Sequence, residues 1–142
     1  MKLSVMLEQL SSGMLRSMEI FFLTLIFSLP LGLLISFGRM SKNKILRTII
    51  KVYISVMRGT PLMLQLLVVY FGPYYLFGMQ IGGTYRFTAI ILGFALNYAA
   101  YFAEIYRSGI ESMPVGQYEA ARVLGYSKTQ CFCCIIFPQV VK

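Results

Sequence analysis

The sequence predicts an all-α, multi-spanning membrane protein with three spans, further helices after the third span and the start of a fourth. Composition is the first observation behind this fold class. Apolar residues make up 58% of the chain and charged residues 13%, against roughly 25% charged residues in soluble domains. The second observation is that the apolar residues gather into long uninterrupted runs. We therefore expect a single partial transmembrane domain over residues 1–142, with helices packed against lipid and one another.

The first span is predicted over about residues 15–38. Its uncharged run, Ile20 to Gly38, is long enough to cross roughly 30 Å of hydrocarbon at about 1.5 Å per residue. Pro30 and Gly32 predict a kink or a thin part of this helix. Membrane helices tolerate such residues when neighbouring groups satisfy the freed backbone atoms.

The second and third spans are predicted over about residues 60–79 and 87–106. The chain is uncharged from Gly59 to Tyr85, which is longer than one helix needs, so the glycines and proline after position 71 predict a helix end in the seventies. The third apolar run ends at Ala103 and is short for a span. We extend it to Tyr106, with Glu104 reaching toward the lipid headgroups.

The distribution of cations predicts the orientation. Six Lys or Arg residues and no acidic residue lie from Arg39 to Arg58, whereas the segment between spans two and three carries only Arg86. The positive-inside rule therefore places residues 39–58 in the cytoplasm and the N-terminus outside. The third span then delivers residues 107–134 to the cytoplasm.

The connector from Ser41 to Arg58 has two interpretations. Its cations fall near one helical face and its apolar residues near another, which is typical of a helix lying at the surface of anionic lipid. Alternatively, the cations set topology on the first turns of one long second helix. The sequence favours neither.

The segment after the third span is predicted to form a helix, a break and a second helix between residues 114 and 130. Pro114 suits the first turn of a helix, and Gly125 suits a left-handed helix end. Ser127 and Gln130 have the spacing of a capping box, which restarts the helix toward Pro138.

Three stretches resemble, in order, the permease subunits of polar amino-acid ABC importers of the EAA-motif type I family: RGTPLMLQ (58–65), NYAAYFAEIYRSGI (97–110) and GQYEAARVLG (116–125). The resemblance begins near Leu15. Residues 107–134 correspond to the family's EAA loop, the name used below.

The resemblance implies a non-enzymatic transmembrane subunit of a binding-protein-dependent importer in the bacterial cytoplasmic (inner or plasma) membrane. Its implied partners are an ABC ATPase subunit that binds the ATP, an extracytoplasmic substrate-binding protein, a second permease subunit and membrane lipid. No cofactor is implied for this chain itself. The residues implied in ATPase coupling are Gly116, Glu119, Ala120, Ala121 and Gly125.

Family members continue through two further spans after the EAA loop, whereas this chain ends at Lys142. Two interpretations therefore stand beside each other. The chain is part of a working transport subunit, or it is a truncated permease fragment or membrane interaction protein without transport activity.

Gln65, Asn97 and Glu104 are the polar residues of the predicted spans that we select as functional candidates. Intramembrane polar groups are candidates for a substrate pathway. A second interpretation, which we favour, makes Gln65 and Asn97 interhelical hydrogen-bonding groups and pairs Glu104 with Arg107 one turn on.

Other functional classes lack the residues they need. The chain has no His and no Asp, and it has no phosphate-binding Walker motif, so we expect neither a catalytic site nor ATP hydrolysis. We also expect no metal site, and the odd count of clustered cysteines indicates free thiols acting as small apolar filler. The net charge of +8 lies where membrane topology requires it, so we expect no nucleic-acid partner.

Overall fold

The computed structural model describes residues 3–78 and 82–141, and these residues form helices without a β-strand. Four long helices are followed by a compact set of short ones. Their bounds are α1 Leu3–Arg39, α2 Lys44–Gly59, α3 Leu62–Phe77, α4 Gly83–Glu111, α5 Val115–Val123, α6 Lys128–Gln130, a π-helical segment Cys131–Ile136, and α7 Phe137–Val140.

Helix α1 begins twelve residues before the predicted first span and continues through Pro30 without interruption. Pro30 therefore lies inside one continuous helix. The buried face of α1 repeats every fourth residue, at Thr24, Ser28, Gly32 and Ser36, and it packs against α4. A methyl group on Gly32 would lie 2.6 Å from Cβ of Phe102. The small side chains thus let the two helix backbones approach closely, as is usual between membrane helices.

Helix α2 is a helix of its own. The side chain of Asn43 accepts hydrogen bonds from the backbone N–H groups of Ile45 and Leu46 and so caps its first turn. The chain then bends by 110° between α2 and α3. The interpretation of residues 44–58 as the first turns of one long helix is therefore wrong, because a bend of that size ends one helix axis and begins another. Contact of α2 with anionic lipid stays a prediction.

Helix α3 ends within the predicted range. Its last residue is Phe77, and Gly78 adopts a left-handed conformation with φ of 65°, as expected for a helix end in the seventies. Residue 79, the predicted limit of the span, lies outside the described residues. Helix α4 extends beyond the predicted 87–106 at both ends and reaches Glu111.

Two helical stretches among the described residues, Leu3–Arg39 and Tyr85–Glu111, are long and apolar enough to cross a membrane, and the bent pair α2–α3 makes a third candidate. The predicted all-α, multi-spanning fold class is confirmed. The depth of each span in a bilayer stays a prediction.

The short helices pack against each other and against the end of α4. Ala121, Cys131 and Ile136 form a small buried core, with Tyr118, Phe132 and Val140 at its edge. Gly109 of α4 faces this core closely, since a methyl group there would lie 2.7 Å from the Val140 side chain. The predicted helix, break and restarted helix over 114–130 is confirmed.

Three details of this region differ from the sequence prediction. Pro114 occupies the N-cap position rather than the first helical turn. The restarted helix is α-helical for three residues and then π-helical. Among the cysteines, Cys131 is buried, whereas Cys133 and Cys134 are exposed. The description of all three as apolar filler is therefore wrong for the last two, because successive helical positions face different directions.

Candidate functional site

The break at Gly125 is a complete helix-ending motif. The backbone N–H of Tyr126 donates to the carbonyl of Ala121 at 3.0 Å, and the N–H of Gly125 donates to that of Arg122 at 3.0 Å. Gly125 has φ of 78°, which glycine adopts without steric cost. This pair of hydrogen bonds defines a Schellman motif. The turn is therefore fixed by the backbone rather than by contacts around the glycine.

The chain restarts two residues later in the predicted capping box. The backbone N–H of Gln130 donates to Oγ of Ser127 at 3.3 Å, and the N–H of Ser127 donates to Oε1 of Gln130 at 2.9 Å. Two N–H groups that the first turn of a helix leaves unpaired are satisfied in this way. The orientation of α5 relative to α6 is thus set locally.

The predicted coupling residues divide into an inner and an outer group. Ala121 is 1% exposed and belongs to the core under α5. Gly116, Glu119 and Ala120 are exposed, and Gly125 has open space where a side chain would stand. Ala121 therefore anchors the buried side of α5. The other four residues are exposed, so a partner could contact them directly.

The apolar part of this surface was not predicted from the sequence. Val123 is 88% exposed and Leu124 is 71% exposed, and Val115 at the start of α5 is also exposed. Val115 and Val123 flank Glu119 and Ala120 on a helix of nine residues, and Leu124 caps its C-terminal end. Their exposure could have been expected from the sequence, because they lie close to the helix breakers Pro114 and Gly125. A helix this short has few neighbouring residues that can cover apolar side chains at its ends.

Tyr118 holds the inner side of α5 against α4. Its phenol donates a long hydrogen bond of 3.4 Å to the carbonyl of Ile110. Burial raises the pKa of Tyr118, and the neighbouring Cys131 raises it further. The phenol is therefore neutral and able to donate at physiological pH.

Gln65 and Asn97 come together at the bend between α2 and α3. Nδ2 of Asn97 donates to Oε1 of Gln65 at 2.8 Å and to the carbonyl of Met57 at 3.1 Å. Nε2 of Gln65 donates to the same carbonyl at 2.9 Å and to Oγ1 of Thr60 at 2.7 Å. The last turn of α2 leaves carbonyl groups without helical partners. The two amides satisfy one of them and tie α2, α3 and α4 together.

Two further contacts at this bend were not predicted. The phenol of Tyr53 donates to the carbonyl of Leu96 at 2.6 Å. The guanidinium of Arg58 lies over the ring of Tyr101, 5.3 Å from its centroid, which is a cation–π distance. Both contacts join α2 to the middle of α4.

Glu104 belongs to a separate group of charges at the end of α1. Oε2 of Glu104 lies 2.7 Å from Nη2 of Arg107, and Oε1 lies 3.8 Å from Nε of Arg39. Arg107 also pairs with Glu111. The expected pairing of Glu104 with Arg107 is confirmed, and the structure does not bring Glu104 into the Gln65–Asn97 group.

These arrangements offer hydrogen-bond donors and acceptors and an exposed apolar surface. Within residues 3–78 and 82–141, no three His, Cys, Asp or Glu residues lie close enough to hold a metal ion. The described residues thus provide an exposed surface that a partner could contact, and hydrogen-bonding groups between the helices.

Residues 28–142 match the family model described as "Binding-protein-dependent transport system inner membrane component". The chain belongs to that family. Within this family it is related to amino-acid ABC transporter permeases, which are transport subunits.

Three relatives show the extent of the similarity. The chain is 45% identical over 121 residues to the "Probable amino-acid ABC transporter permease protein YckA" of Bacillus subtilis, covering 85% of this chain and 52% of that protein. It is 38% identical over 130 residues to the arginine transport system permease protein ArtQ of the same organism, covering 92% and 58%. A solved structure described as "Crystal structure of an amino acid ABC transporter with histidines" superposes with a TM-score of 0.79 at 36% identity, covering 99% and 65%. The chain spans about half the length of the curated relatives it matches.

Proposed function

We propose that this chain is part of the transmembrane subunit of an ATP-driven, binding-protein-dependent amino-acid importer in a bacterial cytoplasmic membrane. In this proposal the EAA loop lies in the cytoplasm and docks onto an ABC ATPase subunit, which binds and hydrolyses the ATP. A second permease subunit completes the pathway, and an extracytoplasmic binding protein delivers the substrate. Family membership supports this assignment, and the names of two relatives, which refer to amino acids and to arginine, support the substrate class.

The observation that carries the docking proposal is the two-sided character of α5. One side is anchored by Ala121 in the core that it shares with Cys131 and Ile136. The other side presents Val123 and Leu124 to solvent beside the carboxylate of Glu119. Among the described residues, Glu119 has no ion pair within 4 Å, so its carboxylate is free to meet a cation on a partner. An apolar patch with one unpaired charge is suited to a protein interface.

The amide pair at the α2–α3 bend contributes to the pathway by shaping it. Gln65 and Asn97 use their donors on backbone and side-chain groups of the chain itself. Glu104 is likewise engaged with Arg107. We propose that these three residues hold the helices that line the pathway, and direct contact with the substrate remains the second interpretation.

The test is Ala120→Asp in the full-length subunit co-expressed with its ATPase. Ala120 is exposed and helical, so the variant should fold and insert. A carboxylate trapped in a closely packed protein contact costs several kcal/mol unless it finds a partner. We expect normal membrane abundance, loss of the co-purified ATPase and loss of ATP-driven uptake.

Gly125→Asp should have the same effect, with an added cost from its left-handed backbone. Ser12→Asp is the matched control, because Ser12 is exposed on α1, far along the chain from the EAA loop. Uptake by Ala120→Asp at the wild-type rate would show that the EAA loop is only a connector. The interpretation as a non-transporting membrane protein would then gain equal weight.

A further inference from the structure

A cavity of about 320 Å³ lies between the EAA loop and the ends of α1 and α4. Its wall includes Phe37 and Met40 at the end of α1, Ile110 of α4, Ala121 of α5 and Cys131 of the π-helical segment. It is thus lined by residues that lie far apart in the sequence. Its volume falls at the lower end of the range of small-molecule pockets.

The lining of this cavity is apolar with a cationic edge. Arg122 and Lys128 line it and are both exposed. Neither has an ion pair within 4 Å among the described residues, whereas Arg39, Arg107 and Arg16 do. The described residues that line the cavity include no Asp or Glu. The cavity therefore suits a ligand with an apolar body and a negative group.

The cavity lies at the boundary between apolar and polar surroundings. Ile110 is in the last turn of α4, next to the ion group of Glu104, Arg107 and Glu111. Met40 directly follows Arg39, which joins the same group at the end of α1. Charged groups at the ends of membrane helices mark the level of the lipid headgroups. An acyl chain can therefore reach the apolar wall while its headgroup stays at this level.

We propose that this cavity binds an anionic phospholipid from the leaflet on the EAA-loop side. The acyl chain packs against Phe37, Met40 and Ile110, and the phosphate pairs with Arg122 and Lys128. A zwitterionic amino acid fits less well, because the lining offers no carboxylate for its ammonium group. A small soluble anion fits less well because the wall is apolar. The site is separate from the surface proposed to dock the ATPase and does not depend on that function.

A lipid in this cavity would contact the buried side of α5 and so stabilise the position of the EAA loop. Ala121 and Arg122 both belong to α5 and both line the cavity. An occupied cavity therefore supports the inner side of α5, and an empty one leaves a void beside the core of Ala121, Cys131 and Ile136. The fraction of anionic lipid in the membrane would in this way change the stability of the packing of α5 against the rest of the chain.

The test uses the fact that the chain has no tryptophan. Tyr126 lines the cavity, so Tyr126→Trp places a single tryptophan there. The chain is reconstituted in two kinds of phosphatidylcholine vesicle. One contains a fixed fraction of brominated phosphatidylglycerol, and the other contains the same fraction of brominated phosphatidylcholine. We expect stronger quenching by brominated phosphatidylglycerol. Arg122→Gln with Lys128→Gln should reduce this preference roughly thirtyfold, given about 1 kcal/mol for each cation near an anionic lipid.

Lys44→Gln with Arg47→Gln is the matched control. It removes the same charge from two exposed residues of α2 that do not line the cavity, and we expect the preference to remain. Equal quenching by the two brominated lipids, or an equal loss from both double variants, would overturn the proposal in favour of general surface attraction. Native mass spectrometry repeats the comparison without the tryptophan. There, equal retention of phosphatidylglycerol by the wild type and the Arg122/Lys128 variant would overturn it too.

Discussion

Gln117 and Gln139 exchange two side-chain hydrogen bonds between α5 and α7. Nε2 of Gln117 donates to Oε1 of Gln139 at 3.0 Å, and Nε2 of Gln139 donates to Oε1 of Gln117 at 2.8 Å. Gln139 also donates to the carbonyl of Ile135 at 2.7 Å. The pair therefore joins α5 directly to α7, although both side chains are partly in contact with solvent.

Removing either amide should loosen α5. We expect Gln117→Ala and Gln139→Ala each to lower the stability of the α5–α7 contact by about 1 kcal/mol, and the double variant to lose less than the sum. Hydrogen exchange of the α5 amides measures the effect. Gln9→Ala on exposed α1 is the control. Additive losses in the double variant would show that the two amides do not depend on each other.

Gly125 and Gly116 form a matched pair for testing backbone conformation. A methyl group meets nothing within 4 Å at either position, but only Gly125 has a positive φ. Gly125→Ala should destabilise the loop by about 1–2 kcal/mol, whereas Gly116→Ala within α5 should stabilise it by up to about 1 kcal/mol. Proteolysis rates of the loop compare the two. Equal effects would contradict the left-handed turn.

Gly32 is expected to be intolerant of any side chain. In Gly32→Ala the new methyl group would lie 2.6 Å from Cβ of Phe102 and 3.2 Å from the carbonyl oxygen of Ala99. Separating α1 from α4 should cost about 1–3 kcal/mol, measured by unfolding in a mixed detergent titration. Gly13→Ala has open space and should leave the midpoint unchanged or slightly raised. A wild-type midpoint for Gly32→Ala would argue against this helix contact.

The two interpretations of Gln65 and Asn97 differ in what their variants should change. If the amides join helices, Gln65→Leu and Asn97→Leu should lower stability by about 0.5–2 kcal/mol and leave the KM for substrate of the full importer unchanged. Unfolding titration and uptake kinetics on the same variants separate the two effects. A raised KM at unchanged stability would place the amides in contact with the substrate.

Single-cysteine labelling tests the orientation. In a chain whose three native cysteines are replaced, Cys at position 41 or 127 should not react with a membrane-impermeant reagent in intact cells, and Cys at position 82 should react. The six cations from Arg39 to Arg58 are the physical reason. The opposite pattern would remove the basis for placing the EAA loop beside a cytoplasmic ATPase.

The parts of the fold set by local chemistry could be predicted from sequence. Gly125 and the Ser127–Gln130 box act within one helical turn, so their positions alone predicted the break and the restart. The 110° bend between α2 and α3 could not be predicted in this way. Hydrophobic periodicity gives the face of a helix but not the angle at which the next helix leaves it.

The site was predicted less completely because its contacts are between distant residues. Asn97 and Gln65 are 32 residues apart, and only packing of α4 against the bend brings them together. The exposure of Ala120 and the burial of Ala121 likewise depend on which side of α5 meets Cys131 and Ile136. The EAA pattern contains both alanines and does not distinguish them.

The close approach of Val140 to Gly109 joins the end of α4 to the last helix described. Val140 also packs against the core of Ala121, Cys131 and Ile136, and Tyr118 hydrogen-bonds to Ile110, so α5 is joined to both α7 and α4. A displacement of α5 by a force on its exposed side therefore cannot occur by bending of the chain at Gly125 alone. It is carried into two helices at once, so α5 can move only as far as the ends of α4 and α7 move with it.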